Sequence, residues 1–153
     1  FGGGQQVNST NNDTNLILNM SNGTSNAHVL FRYNGGNTGN ISTNGSTVSY
    51  NTGSDYRLKE NVDYTWDATT RLKQLKPARF NFIADADKTV DGFLAHEVQE
   101  IVPEAITGKK DAVDKDGNPV YQGIDQSKLV PLLVGAIQEL KAEIETLKTQ
   151  INK

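Results

Sequence analysis

A serine and a lysine lie five residues apart in the stretch 53–59 (GSDYRLK). A serine hydroxyl is a weak nucleophile until a base takes its proton, and a lysine that has lost its own proton can act as that base. Gly53 has no side chain, so its carbonyl is open to attack by the Ser54 hydroxyl. Because the chain holds that carbonyl beside the nucleophile, proximity alone is worth up to about 7–11 kcal/mol of barrier in favourable cases. These residues suggest cleavage of the Gly53–Ser54 bond by a Ser54–Lys59 pair.

The spacing does not establish this pair by itself. Serines and lysines at this separation occur by chance in most proteins, and the nearby carboxylates of Asp55 and Glu60 favour the protonated amine. On spacing alone, a polar linker with a solvated Lys59 is the better interpretation. His96 offers another base, but nothing in the sequence places it near Ser54, and we favour a structural position on a helix face.

The candidate pair lies where the composition of the chain changes. Residues 1–53 contain one basic residue, Arg32, and one acidic residue, Asp13, so 14 of the 15 Lys and Arg and 17 of the 18 Asp and Glu lie in 54–153. The first part also holds nine of the fourteen glycines. We therefore predict a separate module at 1–53, followed by a globular part.

The first module has the pattern of short β-strands joined by tight turns. Asn-Gly pairs, which favour turns with positive φ, separate short apolar alternations. Its apolar content is too thin to offset the entropy of ordering it alone, so we expect a meander or a β-fibre that assembles with copies of itself. A disordered Asn/Gly/Ser linker is the competing interpretation. The predicted strands lie at 16–20, 29–33, around Ile41, and at 48–50.

Residues 54–126 alternate between helix and strand signals, which predicts an α+β domain. A short helix over 67–76 begins at an Asp67 N-cap and ends before Pro77. We expect a strand at 78–83 to pair with 93–95, a helix at 96–102, and a hairpin of 112–115 with 119–124 around Asp116-Gly117-Asn118.

The final segment, 127–153, carries the strongest structural signal. Its apolar residues follow a 3-4 spacing that forms one narrow seam with a 3.5-residue period, typical of a coiled coil. An amphipathic helix packed on its own domain is the alternative. Model-peptide rules for Ile and Leu at these positions favour two strands, so the seam by itself does not indicate a trimer. The seam residues are Leu133, Ile137, Leu140, Ile144, Leu147 and Ile151.

Several function classes lack support in the composition. The chain has no cysteine, which excludes disulfides and the usual zinc sites, and its net charge of −3 offers no basic stripe for nucleic acid. The apolar run 129–137 is too short to span a membrane. The spacing around Gly117 fails the pattern of a calcium loop. We expect no metal, cofactor, nucleic acid or membrane partner. No signal peptide opens the chain, and Phe1 suggests a fragment of a longer polypeptide.

Several sequence blocks follow one another along 54–153: SDYRLKENV, LKPARFNF, GFLAHEV, PEAI and DQSKLVPLLVGAIQEL. Together they resemble the C-terminal chaperone family first recognised in phage endosialidases. More distantly, they resemble the cleavage domain of myelin regulatory factors. His96 stands where the family more often has Gln, and Gln126 where an aromatic residue is common.

The resemblance implies a homotrimeric intramolecular chaperone that folds the fibre segment before it and then cuts itself off. It makes Ser54 the nucleophile, Lys59 the general base and Gly53–Ser54 the scissile bond. Asp55 and Arg57 match motif positions whose roles we cannot derive from the sequence. The domains are then a fibre end at 1–53, a chaperone and autoprotease core at 54–126, and a trimerisation helix at 127–153.

The resemblance also implies a place and partners for the protein. We expect a virion tail fibre or tailspike, made in the host cytoplasm, with the chaperone part released after cleavage. Its partners are two further copies, the upstream fibre segment and possible host surface glycans. A non-catalytic trimerisation cap and a receptor-binding fibre tip are the two alternative functions.

Overall fold

The computed structural model describes residue 18 and residues 26–152. The chain divides into two compact units, the first ending at Val62 and the second beginning at Asp63. The predicted strand at 16–20 lies outside the described residues, apart from Leu18. We describe each unit by itself.

The first unit is a three-stranded antiparallel sheet with its strands in chain order. Asn34 and Gly35 form the first turn with φ of 48° and 79°, the positive values for which an Asn-Gly pair is suited. At the second turn, the Asn44 side chain accepts hydrogen bonds from the backbone N–H groups of Ser46 and Thr47. The predictions of strands at 29–33, around Ile41 and at 48–50 are confirmed. The strands are β1 (Asn26–Tyr33), β2 (Gly36–Thr43) and β3 (Val48–Thr52).

The sheet has little core of its own. None of its residues whose side chains the structure describes is buried, and large side chains such as Phe31, Tyr33 and Tyr50 are exposed. A sheet with both faces open to water gains little from burial of apolar surface. Its need for a further packing partner, such as another copy, therefore stays a prediction.

The second unit combines three helices with two small sheets, which confirms the α+β class. The second unit also contains two 3₁₀ turns, at Pro103–Ala105 and Gln126–Leu129. A further 3₁₀ turn, Tyr56–Leu58, lies in the first unit. The helices are α1 (Ala68–Leu72), α2 (Ala95–Gln99) and α3 (Val130–Ile151). The strands are β4 (Ala78–Phe82), β5 (Asp85–Gly92), β6 (Ile106–Thr107) and β7 (Gly123–Ile124).

The short helix before Pro77 begins as predicted. The Asp67 carboxylate accepts a hydrogen bond from the Thr70 backbone N–H at 2.9 Å, which makes Asp67 the N-cap of α1. The regular helix ends at Leu72, earlier than predicted.

The predicted partner of the 78–83 strand was wrong. β4 pairs with β5, which follows it directly in a hairpin, whereas 93–95 leads into α2. β5 is a polar strand, so it carries no apolar alternation. Its pairing is supported by an ion pair between Arg79 and Asp91, which are directly opposite each other in the register.

The predicted hairpin of 112–115 with 119–124 is confirmed around its tight turn, where Gly117 has φ 82°, but it does not extend to 124. Val113 pairs with Pro119 in an antiparallel bridge, and the backbone N–H of Val120 donates to the Ala112 carbonyl at 2.8 Å. The Asp114 carboxylate holds the turn by accepting backbone hydrogen bonds from Asp116 and Asn118. Pro119 has no N–H to donate to a ladder, and 123–124 pairs with β6 instead.

The core of the second unit lies between α3 and the shorter helices. α1 and α3 approach closely at Gly135, where a β-carbon would lie 2.7 Å from that of Ala68. Only glycine fits at that position without a shift of one helix. The buried residues are Ala68, Leu75, Val98, Val102, Ala105, Leu129, Leu132 and Ala136. Within the described part of the chain, no helix is both long and apolar enough to cross a membrane.

Glu139 ties α3 to the beginning of α1. Its two carboxylate oxygens accept hydrogen bonds from the backbone N–H groups of Ala68 and Thr69, both at 2.8 Å. The nearby Thr69 hydroxyl and these two N–H groups lower the pKa of the Glu139 carboxyl. That hydroxyl has no hydrogen-bond partner of good geometry, so we attribute the tie to the two backbone bonds.

We expect Glu139→Gln to destabilise the second unit at neutral pH, because the amide offers only one acceptor to two N–H groups. The folded-state pKa of Glu139 is depressed, so its contribution to stability is present above the ordinary value of 4.5 and is lost as the pH falls below it. The variant should therefore lose less stability than the wild type on acidification. Denaturant unfolding in a cleavage-deficient background measures this, with the exposed Glu143→Gln on the same helix as control. A variant with an unchanged acid dependence contradicts the assignment.

Candidate active site

The candidate nucleophile follows directly on the sheet. β3 ends at Thr52, and the backbone N–H of Gly53 donates to the Thr38 carbonyl of β2 at 3.0 Å. The residue before Ser54 is therefore still fixed to the sheet. Gly53 is not among the residues with positive φ, so its backbone conformation is an ordinary one.

The 3₁₀ turn Tyr56–Leu58 reverses the chain between Ser54 and Lys59. The N–H of Leu58 donates to the Asp55 carbonyl, and the N–H of Lys59 donates to the Tyr56 carbonyl, both at 3.1 Å. Asp55 caps the turn, because its carboxylate accepts the backbone N–H of Arg57 at 2.9 Å. A 3₁₀ turn has about three residues per turn, so it brings back to one side two residues that flank it.

The turn places the Lys59 amine against the Ser54 hydroxyl. Lys59 Nζ lies 2.8 Å from Ser54 Oγ and donates a hydrogen bond to it. Both residues are exposed, so water reaches the amine. A protonated amine has only donors, and it must lose a proton before it can accept one from serine. The geometry is that of a nucleophile and a base within hydrogen-bond reach.

Asp55 and Arg57 form a two-bond ion pair beside this contact. Arg57 Nε donates to Asp55 Oδ1 and Arg57 Nη2 to Asp55 Oδ2, each at 2.9 Å. These side-chain bonds, and the Arg57 backbone N–H after them, hold the pKa of the Asp55 carboxyl below its usual value. Neither partner's role was apparent from the sequence, since spacing does not reveal which side chains pair.

The six predicted seam residues all lie on α3 and are exposed in the protomer, by 43% to 82%. The side of α3 that packs on its own domain is a different one, carrying Leu132 and Ala136. Every residue from 140 to 151 is exposed. α3 therefore packs on its own domain through one side of its first half and leaves the seam residues uncovered.

His96 lies on α2 in the second unit, half-buried. It lines an open groove of about 570 Å³ together with apolar residues that include Phe80, Phe93 and Ile124. None of these neighbours is a nucleophile. The site residue that sequence reasoning missed in this unit is Glu139, because its partners in α1 are about 70 residues away along the chain.

Residues 54–107 match the family model Peptidase S74, described as chaperone of endosialidase. The match begins at Ser54 and includes Lys59, Asp55 and Arg57. At residues 54–107, the chain is therefore similar to the endosialidase-type chaperone family.

Proposed function

We propose that the chain is an intramolecular chaperone that trimerises, folds the β-rich segment before residue 54, and then releases itself by cutting the Gly53–Ser54 bond. The observation that carries the proposal is the 2.8 Å contact of Lys59 Nζ with Ser54 Oγ. Both residues of that contact lie within the segment that matches the chaperone of endosialidase family.

The reaction proceeds in two balanced steps. Ser54 Oγ attacks the Gly53 carbonyl carbon while Lys59 takes the hydroxyl proton, and the Gly53–Ser54 C–N bond breaks as the nitrogen receives that proton. The product is an ester between Gly53 and the Ser54 oxygen. Water then attacks the ester, Lys59 takes a proton from the water, and the proton passes to Ser54 Oγ. One water is consumed, and the new ends are a Gly53 carboxylate and a Ser54 amine.

The local structure supports this reaction through positioning. The Gly53 N–H is bonded to Thr38 on β2, and the 3₁₀ turn holds Lys59 at the hydroxyl. The residues on both sides of the scissile bond are therefore positioned by the chain itself, and no separate substrate-binding site is needed. Such pre-positioning lowers the entropic part of the barrier, so a modest base suffices for a single turnover.

Assembly would remove the water that surrounds Lys59 in the single chain. Burial disfavours the charged form of an amine, so removal of water from around Lys59 would yield the neutral base. Tyr56 and Leu58, on the turn between the two site residues, are 81% and 78% exposed. Covering these side chains with another copy would dry the site. Burial of the exposed seam residues of α3 between copies would drive that association.

Trimerisation also raises the local concentration of the three β segments, so that they can pack against one another more readily than separate chains can. Cleavage after folding makes the process irreversible and leaves the fibre held by its unfolding barrier. On this proposal, the protein belongs to a phage tail fibre or tailspike, and residues 54–153 are released. Contact of the fibre with a host glycan stays a prediction.

A non-catalytic trimerisation cap is the second candidate. The observation that favours it is the open, water-accessible position of Lys59, which donates its hydrogen bond to Ser54. A trimerisation cap needs the seam and the chaperone fold, but it does not need a lysine that is shielded from water.

Denaturing electrophoresis of the freshly folded full chain separates the two candidates. The proposal predicts fragments of 53 and 100 residues, from 153 − 53 = 100, and their absence in Ser54→Ala. The exposed Ser46→Ala in the same unit is the matched control and should cleave normally. A wild-type chain that stays intact while trimeric leaves only the cap.

A further inference from the structure

Asp55 sits between the proposed nucleophile and base, and Arg57 engages its whole carboxylate. One oxygen accepts both the backbone N–H and Nε of Arg57, and the other oxygen accepts Nη2, with all three distances at 2.9 Å. Two parallel bonds between guanidinium and carboxylate fix the relative orientation of both groups. The pair therefore closes the turn through a backbone cap and a side-chain fork at once.

The charge of Asp55 works against the proposed base unless it is compensated. Lys59 contributes, as the smallest cause, to the lowered pKa of the Asp55 carboxyl. In general, a carboxylate beside an amine favours the charged form of that amine. A protonated amine cannot take the serine proton. The guanidinium of Arg57 brings an equal and opposite charge to the same carboxylate.

We propose that Asp55 and Arg57 form a charge-neutral clasp, which holds Lys59 against Ser54 and prevents the Asp55 carboxylate from locking the amine in its protonated form. The clasp rests on the proposed self-cleavage and gives positioning roles to two residues of the Ser54–Lys59 segment. The clasp explains why an acidic residue can stand next to the nucleophile. The Asp55 carboxylate caps the 3₁₀ turn, and the Arg57 guanidinium neutralises its charge.

The two halves of the clasp predict opposite effects on the pH dependence of cleavage. Arg57→Gln keeps the backbone cap but leaves the carboxylate uncompensated, so the pH–rate profile should move to higher pH by about half a unit. Asp55→Asn keeps an oxygen for the cap but leaves Arg57 as a free cation, so the profile should move to lower pH by a similar amount. Both should lower the plateau rate by roughly tenfold, because the fork that fixes the turn is lost.

The test uses the full chain with a photocaged serine at position 54, which keeps the protein intact until light releases the hydroxyl. Sedimentation before illumination confirms that each variant assembles as the wild type does. Cleavage is then followed by denaturing electrophoresis across the pH range in which an amine titrates. The matched controls are Arg79→Gln and Asp91→Asn, which break a similar exposed Arg–Asp pair in the second unit and should leave the profile unchanged.

A double variant, Asp55→Asn with Arg57→Gln, makes the pair neutral again and should return the midpoint of the profile to the wild-type value. Opposite shifts in the single variants and recovery in the double variant support the clasp. The clasp is overturned, while self-cleavage stands, if the midpoints of the single variants shift in the same direction or do not shift. It is also overturned if the midpoint of the double variant stays away from the wild-type value. A wild-type trimer that remains intact after illumination overturns the self-cleavage itself, and the clasp with it.

Discussion

Replacing Lys59 with arginine should abolish self-cleavage although the positive charge beside Ser54 is retained. Arginine stays protonated at any accessible pH, so it can donate to the Ser54 hydroxyl but cannot take its proton. Because a positioned general base contributes typically 10²–10⁴-fold to a rate, we expect a fall of at least about a hundredfold. The measurement is the fraction of the full chain that is cut with time after folding, read by denaturing electrophoresis.

The control for this substitution is Lys141→Arg, an exposed lysine of α3 outside the seam, which should cleave at the wild-type rate. Sedimentation of Lys59→Arg should show the same assembly as Ser54→Ala. If Lys59→Arg cleaves within a few-fold of the wild type, Lys59 is a hydrogen-bond donor to Ser54 and some other group is the base.

Ile144→Asp should separate the assembled chains and stop cleavage at the same time. Ile144 lies in the middle of the exposed seam, on the half of α3 in which every residue is exposed. Each chain loses the burial of an isoleucine, roughly 1.5–3 kcal/mol, and the interface must hold a carboxylate from every copy. We expect a monomer at micromolar concentration by sedimentation, and an uncut chain by electrophoresis.

Ala142→Asp introduces the same charge on an exposed face of the same helix, outside the seam, and serves as the matched control. It should assemble and cleave normally. A trimeric Ile144→Asp variant would mean that the seam is not the interface. A monomeric variant that cleaves as fast as the wild type would show that assembly does not switch on the base.

The parts of the fold that were predicted correctly depend on local signals. Asn34-Gly35 requires positive φ at both residues and so fixes the turn between β1 and β2. Asp67 and the following Pro77 frame α1, and the long apolar period of 130–151 indicates a helix. Each of these signals needs only neighbours within a few residues.

The errors come from features that sequence patterns do not carry. β5 is polar on both faces because it belongs to an exposed two-stranded hairpin, so burial leaves no alternation in its sequence. At 112–124 the Asn and Gly residues indicated the turn correctly, but β7 pairs with β6, which precedes the turn. Tertiary pairing overrides local preference in both places.

The candidate site divides in a similar way. The residues Ser54 and Lys59 were identified by resemblance to a family, whereas their spacing alone favoured a solvated linker. Only side-chain geometry reveals that Arg57 neutralises Asp55, because the carboxylate could equally have paired with Lys59. Glu139 is not one of the six seam residues, and the seam pattern says nothing of its bonds to α1.

The measurement that tests the central claim most directly is the intact mass of the assembled wild-type protein. Self-cleavage by Ser54 predicts two fragments, one of which begins with a free amine at Ser54, and whose masses add up to that of the whole chain plus one water. The same sample should show the trimer in native conditions. A trimer in which every chain keeps its full mass, or a cut at any bond other than Gly53–Ser54, would contradict the account.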